Sequence, residues 1–179
     1  VLLHHALRPK RNLAYQLDEL SKISLDLDAY VSNRTDTESF LRHFYQVKPV
    51  YSRKHEKYLI KGGFNIVYDN DTLGKNGVHF YPMLHAEVRL EKLHEIHAYV
   101  GIDGNLERDS YLKMIYENPY LSPNILVNNQ NNTFQFYGGI KGTIKKYISF
   151  HGEFSVKSYK NFKHYINDTT LTLQNKFLT

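Results

Sequence analysis

Ten histidines in a chain without cysteine direct attention first to metal binding and proton transfer by imidazole. The closest pair in one regular segment, His94 and His97, is three positions apart. On an extended strand these point to opposite faces and cannot share an ion. His79 and His85 share a face but lie about 20 Å apart at strand rise. His151 and Lys141 are expected to be cross-strand neighbours, which repels a cation. The reading is therefore no metal site and no cofactor. The densest charged group is Glu87, Arg89, Glu95 and His97. Nucleophilic catalysis needs a base beside Ser, Thr or Cys and a third group to orient it. The chain has neither a G-x-S-x-G elbow nor a phosphate loop. Mutual charge pairing explains the cluster without catalysis, so no catalytic residue is assigned and the chain is not read as an enzyme.

These polar groups sit on strands of an unusual kind. From Val78 to Leu90, Val78, Phe80, Pro82, Leu84, Ala86, Val88 and Leu90 alternate with His79, Tyr81, Met83, His85, Glu87 and Arg89. From His94 to Leu106, Ile96, Ala98, Val100, Ile102, Gly104 and Leu106 alternate with Glu95, His97, Tyr99, Gly101, Asp103 and Asn105. Period two over this length is a strand pattern that a helix does not produce. Soluble strands commonly run about 5–6 residues. A strand of about 13 residues, tilted by about 45°, spans roughly 30 Å, the thickness of a bilayer core. One apolar and one charged face then suit lipid on one side and a wet lumen on the other.

Composition is compatible with that arrangement. No run of apolar residues is long enough for a transmembrane helix, whereas a barrel hides half of each strand's residues from lipid. Tyr (15) and Phe (10) are abundant and Trp is absent. Aromatic girdles at membrane interfaces can use the first two. A formal net charge of +5 admits anionic partners, but the lysines are scattered and form no nucleic-acid-binding module, so nucleic acid is not expected. Both ends read as cut, with 1–179 forming part of one domain of a larger protein and no internal boundary.

Alternating segments recur at Leu13–Leu17, Ile23–Asn33, Phe40–Tyr51, Lys57–Tyr68, Val78–Leu90, His94–Leu106, Thr133–Ile144, Ile148–Ser158 and from Thr169 onward. Short links are expected near Asp18–Ser21, Ser52–Glu56, Glu91–Leu93 and Lys145–Tyr147. Long ones are expected at Arg34–Ser39, Asp69–Gly77, Glu107–Asn132 and Tyr159–Asp168. The fold class read from this is all-β, a partial antiparallel up-and-down transmembrane β-barrel with short turns at one end and long loops at the other. A three-residue link in the first hairpin pairs Val88 with Ile96, Ala86 with Ala98 and Glu87 with His97, and places Phe80 opposite Gly104. In the second it pairs Gly142 with Phe150 and Gly138 with Phe154, aromatic rings covering glycines. The lumen-facing candidates are His79, His85, Glu87, Arg89, Glu95, His97, Lys141, His151 and Glu153. The lipid-facing candidates are Phe80, Leu84, Val88, Ile96, Val100, Ile102, Phe136, Ile140, Phe150 and Phe154. Within the longest loop, a short helix is expected between Asp109 and Pro119, in a segment folded over the barrel mouth.

The runs His79-Phe80-Tyr81-Pro82, Ala98-Tyr99-Val100-Gly101-Ile102-Asp103-Gly104-Asn105-Leu106, Tyr116-Glu117-Asn118-Pro119-Tyr120-Leu121-Ser122-Pro123 and Tyr137-Gly138-Gly139-Ile140-Lys141-Gly142 resemble TonB-dependent receptor-like outer-membrane barrels of Bacteroidetes-type bacteria. The resemblance is best from about Ile60 to Tyr159. It implies a barrel of more strands than this chain holds, located in the bacterial outer membrane. The implied role is uptake, or that of an accessory subunit in an outer-membrane complex. Its expected partners are outer-membrane lipid and lipopolysaccharide, with other outer-membrane proteins or lipoproteins. The competing expectation is a soluble all-β module that binds a ligand such as a glycan and covers the Phe80–Leu90 face with a second sheet.

Overall fold

The computed structural model describes residues 3–35, 39–70, 76–90, 96–109, 111–121, 129–144, 147–167 and 177–178. It is all-β with one short helix. The strands are β1 (Leu3–Leu7), β2 (Lys10–Gln16), β3 (Ser21–Thr35), β4 (Ser39–Lys54), β5 (Tyr58–Asn70), β6 (Asn76–Arg89), β7 (Ile96–Glu107), β8 (Gln130–Ile144) and β9 (Ile148–Lys160). The helix α1 (Tyr111–Glu117) lies between β7 and β8, and a separate pair, β10 (Ile166–Asn167) and β11 (Phe177–Leu178), follows β9.

The first nine strands form one antiparallel sheet in the order β1-β3-β4-β5-β6-β7-β8-β9. β2 also pairs with β3, so β1 and β2 share one edge, interrupted at Arg8-Pro9. Every neighbouring pair from β2 to β9 is sequential, an up-and-down meander. Among the described residues the sheet is open, its edges being β1–β2 and β9. It curls, because Gln46 of β4 reaches Asn105 of β7 at 3.2 Å and the Arg108 guanidinium lies 3.6 Å from the centre of the Tyr30 ring on β3.

Two prolines explain where pairing lapses. The β4–β5 ladder skips from Val47–Ile66 to Val50–Gly63 around Pro49, which has no N–H to donate. There the backbones crowd together, and a Cβ on Gly63 would lie 2.3 Å from the Pro49 carbonyl oxygen. β6 pairs with β5 along its whole length but with β7 only from Leu84 to Arg89; Pro82 follows where that ladder stops.

The eight strand segments expected between Leu13 and Ser158 all appear, usually longer than expected, and β1 is additional. Three details differ. The β6–β7 connection runs from Leu90 to Glu95, so Val88 pairs with Ala98, Ala86 with Val100 and Arg89 with His97. A shift of two residues leaves every side chain on its expected face. Second, a bulge between Asp103 and Asn105 re-aims the end of β7. Leu106 joins the buried cluster of Tyr30, Phe44, Val67 and Tyr81 on the concave face. Gly104 lies under the Tyr81 ring rather than opposite Phe80, which pairs with Ile66 and packs on Phe64 at 4.9 Å. Third, the β3–β4 link is short, 36–38, so loop length alternates less regularly than expected. The second hairpin pairs as expected, Gly142 with Phe150 and Gly138 with Phe154. The expectation of a strand from Thr169 onward falls mostly outside the described residues.

Candidate functional site

Chemically distinctive groups gather on the concave face. Of the expected inward set, contacts across β6–β9 bring together His85, Glu87, His97, Lys141, His151 and Glu153, while His79 lies farther up the same face and Arg89 lines the lower groove. Glu95 lies outside the described residues. On the convex face, Phe80, Leu84 and Val88 are 59%, 50% and 48% exposed. Val100, Phe136, Ile140 and Phe154 are likewise exposed, and Ile96, Ile102 and Phe150 half-buried.

At the end carrying the long connection, the concave face is filled. Arg42 donates to the Asp109 carbonyl and to Asn129 Oδ1, each at 3.0 Å, and Asn129 Nδ2 donates to Asp69 at 3.0 Å. His79 continues the chain: its Nε2 meets Asp69 at 3.1 Å, its Nδ1 meets the Asn131 amide at 3.3 Å, and Tyr81 donates to Asn131 Oδ1 at 2.8 Å. Because the Asn131 amide donates to Nδ1, the network assigns the proton to Nε2. Below it, Asn65 donates to the Gly104 carbonyl at 3.1 Å and accepts from Gln46 at 2.7 Å.

The segment between β7 and β8 caps this end. Met114 of α1, Leu121 and Asp109 are buried. The Asp109 carboxylate accepts from Lys113 at 2.8 Å and Gln130 at 2.7 Å, with Lys163 at 3.6 Å. Lys163 also donates to Glu117 at 2.7 Å, and the Tyr165 hydroxyl does so at 2.9 Å. Those two bonds, Lys163's first, hold the Glu117 carboxyl below its usual range. Burial alone would lower the Lys163 ammonium, but its bond to Glu117 together with the nearby charge of Asp109 outweighs that and raises it.

Toward the short turns the wall is aromatic and charged, and the space is open. Tyr137 lies over Gly101 and Tyr99 over Gly139, where a Cβ would come within 2.4 and 2.7 Å of ring or hydroxyl atoms. Tyr137 meets His85 at 3.1 Å; Tyr99 donates to Glu153 at 2.8 Å and lies 2.5 Å from His151. Glu87 is enclosed by Lys141 at 2.8 Å, His97 at 2.9 Å and His85 at 3.7 Å. In front of them is a groove of about 800 Å³ whose charged lining is Lys54, Glu56, Lys57, Lys61, Glu87, Arg89 and Lys141. Among the described residues no three His, Asp or Glu side chains form a metal-binding group.

Comparison of the chain with protein-family models, curated proteins and solved structures found no match. Sequence reading missed Asp69, Asn65 and Lys61, although β5 carries all three at period two with Gly63 and Val67. That signal was available. The contributions of Arg42 and Lys163 come from sequence-distant segments and had none.

Proposed function

We propose that this chain forms part of a TonB-dependent receptor-like β-barrel in the outer membrane of Gram-negative bacteria. In this reading the convex face meets lipid and the concave face lines a lumen. The carrying observation is the inverted distribution of polarity: the exposed side of β4–β9 is apolar, and the curled-in side holds the buried Asn65, Asp69, Asn129 and Asn132. Phe80, Leu84 and Val88 have no described protein layer over them and are about half exposed, so each, on leaving water, would gain half of the roughly 1.5–3 kcal/mol that full burial gives. Strand length agrees, since the 14 residues of β6 tilted by about 45° reach roughly 32 Å. The edges β1–β2 and β9 would be joined by further strands. The role in uptake, or as an accessory subunit contacting other outer-membrane proteins or lipoproteins, rests on the resemblance of the Ala98–Leu106 and Tyr137–Gly142 runs.

The test is envelope fractionation of the chain expressed in a Gram-negative host. The expected result is resistance to carbonate extraction and release by detergent. In a bilayer, Leu84→Arg is expected to cost about 2–4 kcal/mol, as lipid-facing arginine does near the midplane, and to reduce the inserted fraction. Release of the parent chain by carbonate, or its solubility without detergent, would overturn the membrane reading and support a soluble binding module.

A further inference from the structure

We propose that the groove at the short-turn end of the concave face binds a phosphate group. Lys54, Lys57, Lys61, Arg89 and Lys141 line it together with two carboxylates, Glu56 and Glu87, and Glu87 is already engaged by Lys141 and His97. Five cationic side chains thus face two carboxylates, one of them already paired, and the groove keeps a net positive charge. An adjoining depression of about 580 Å³ shares Lys61 and His85 and adds Lys22 and Lys48, with Asp26 as its carboxylate. The positive surface thus runs across five strands, β3 to β6 and β8, on the inside of a curved wall, where low-dielectric surroundings focus the field onto a solute. Arg89 offers a planar fork suited to two phosphate oxygens, and the lysines act as point charges beside it. The groove's about 800 Å³ is the volume of a small-molecule site, enough for a phosphorylated solute. The flat ring of Tyr137 on the wall of the adjoining depression supplies an apolar surface for the rest of such a molecule. None of this uses the bilayer, so the site stands or falls apart from the membrane reading.

The experiment is calorimetric titration of the full chain, in maltoside micelles if detergent is required, with inorganic pyrophosphate at low and at moderate salt. Retention on phosphatidylglycerol vesicles is measured in parallel. The expected result is saturable binding that weakens with salt and falls by about tenfold or more, roughly 1.4 kcal/mol, in the double variant Lys61→Gln/Arg89→Gln. Lys160→Gln, at the far end of β9, is expected to leave it unchanged, with matching circular dichroism for all three chains. Pyrophosphate binding without vesicle retention identifies a soluble phosphate. Retention competed by pyrophosphate identifies a lipid headgroup, and both outcomes support the phosphate site. No response to either probe from folded chain, or equal loss in Lys160→Gln, overturns it.

Discussion

The two ends of the concave face are built from the same strands yet do opposite things. At the long-connection end, Tyr30, Phe44, Val67, Tyr81 and Leu106 pack together, and polar side chains there meet protein partners. At the short-turn end nothing described covers the wall, and its cations outnumber its carboxylates. Charge buried in a dry site must be matched within the protein, whereas charge facing an open groove is hydrated and available to a ligand. The difference separates a structural seal from a surface that can bind.

The largest effect is expected where the seal is pinned. Asp109→Ala removes the shared acceptor of Lys113, Gln130 and Lys163 and leaves cationic groups without their buried partner. Losing one side of a buried pair costs about 3–5 kcal/mol. The lower part of that range is expected here because Lys113 is partly exposed. A lower denaturant midpoint at unchanged slope is the readout, and an unchanged midpoint would mean that the capping segment contributes nothing to stability.

A middle-sized effect belongs to the groove wall. A methyl group on Gly101 would meet Tyr137 at 2.4 Å and the Leu84 carbonyl at 2.9 Å, whereas one on Gly152 meets nothing within 4 Å. Gly101→Ala is expected to cost about 1–3 kcal/mol as overpacking does, and Gly152→Ala within about 0.5 kcal/mol of zero. Equal thermal shifts for both would contradict the ring-over-glycine wall.

The smallest effect sharpens the comparison through pH. The depressed Glu117 carboxyl contributes stability above its ordinary range, lost as pH falls through its lowered value. The raised Lys163 ammonium contributes below its ordinary range, lost as pH rises through its raised value. The Glu117 side chain is 40% exposed, so after screening its bond to Lys163 is worth about 0.5 kcal/mol. A small melting-temperature gap between the parent and Glu117→Gln is therefore expected near neutrality and should close as pH falls through the lowered Glu117 value and the parent carboxyl is itself protonated. A gap that persists in acid would assign the effect to packing.

Much of the fold was legible because alternation reports which face a side chain takes. Phe80, Leu84 and Val88 lie on the exposed face and His79, His85 and Glu87 on the concave one. The helix between Asp109 and Pro119 was legible from its stop signal. The β6–β7 register was not, because alternation specifies pairing only to within multiples of two residues and the link is longer than assumed. Leu106 was misplaced because a bulge adds one residue, and Gly104 alone does not announce it. The lower groove was half legible: Glu87 and Arg89 stood out, while Lys54 and Lys61 were not singled out, although Lys61 pairs directly with His85 of β6.

By itself the sequence determined the strands, their two faces and their meandering order, because period-two polarity is a local property of extended chain. Only the tertiary structure decided which residues meet across the curled sheet, which end is sealed and which stays open. Those outcomes depend on register, bulges and curvature, and each sums contacts between segments far apart along the chain.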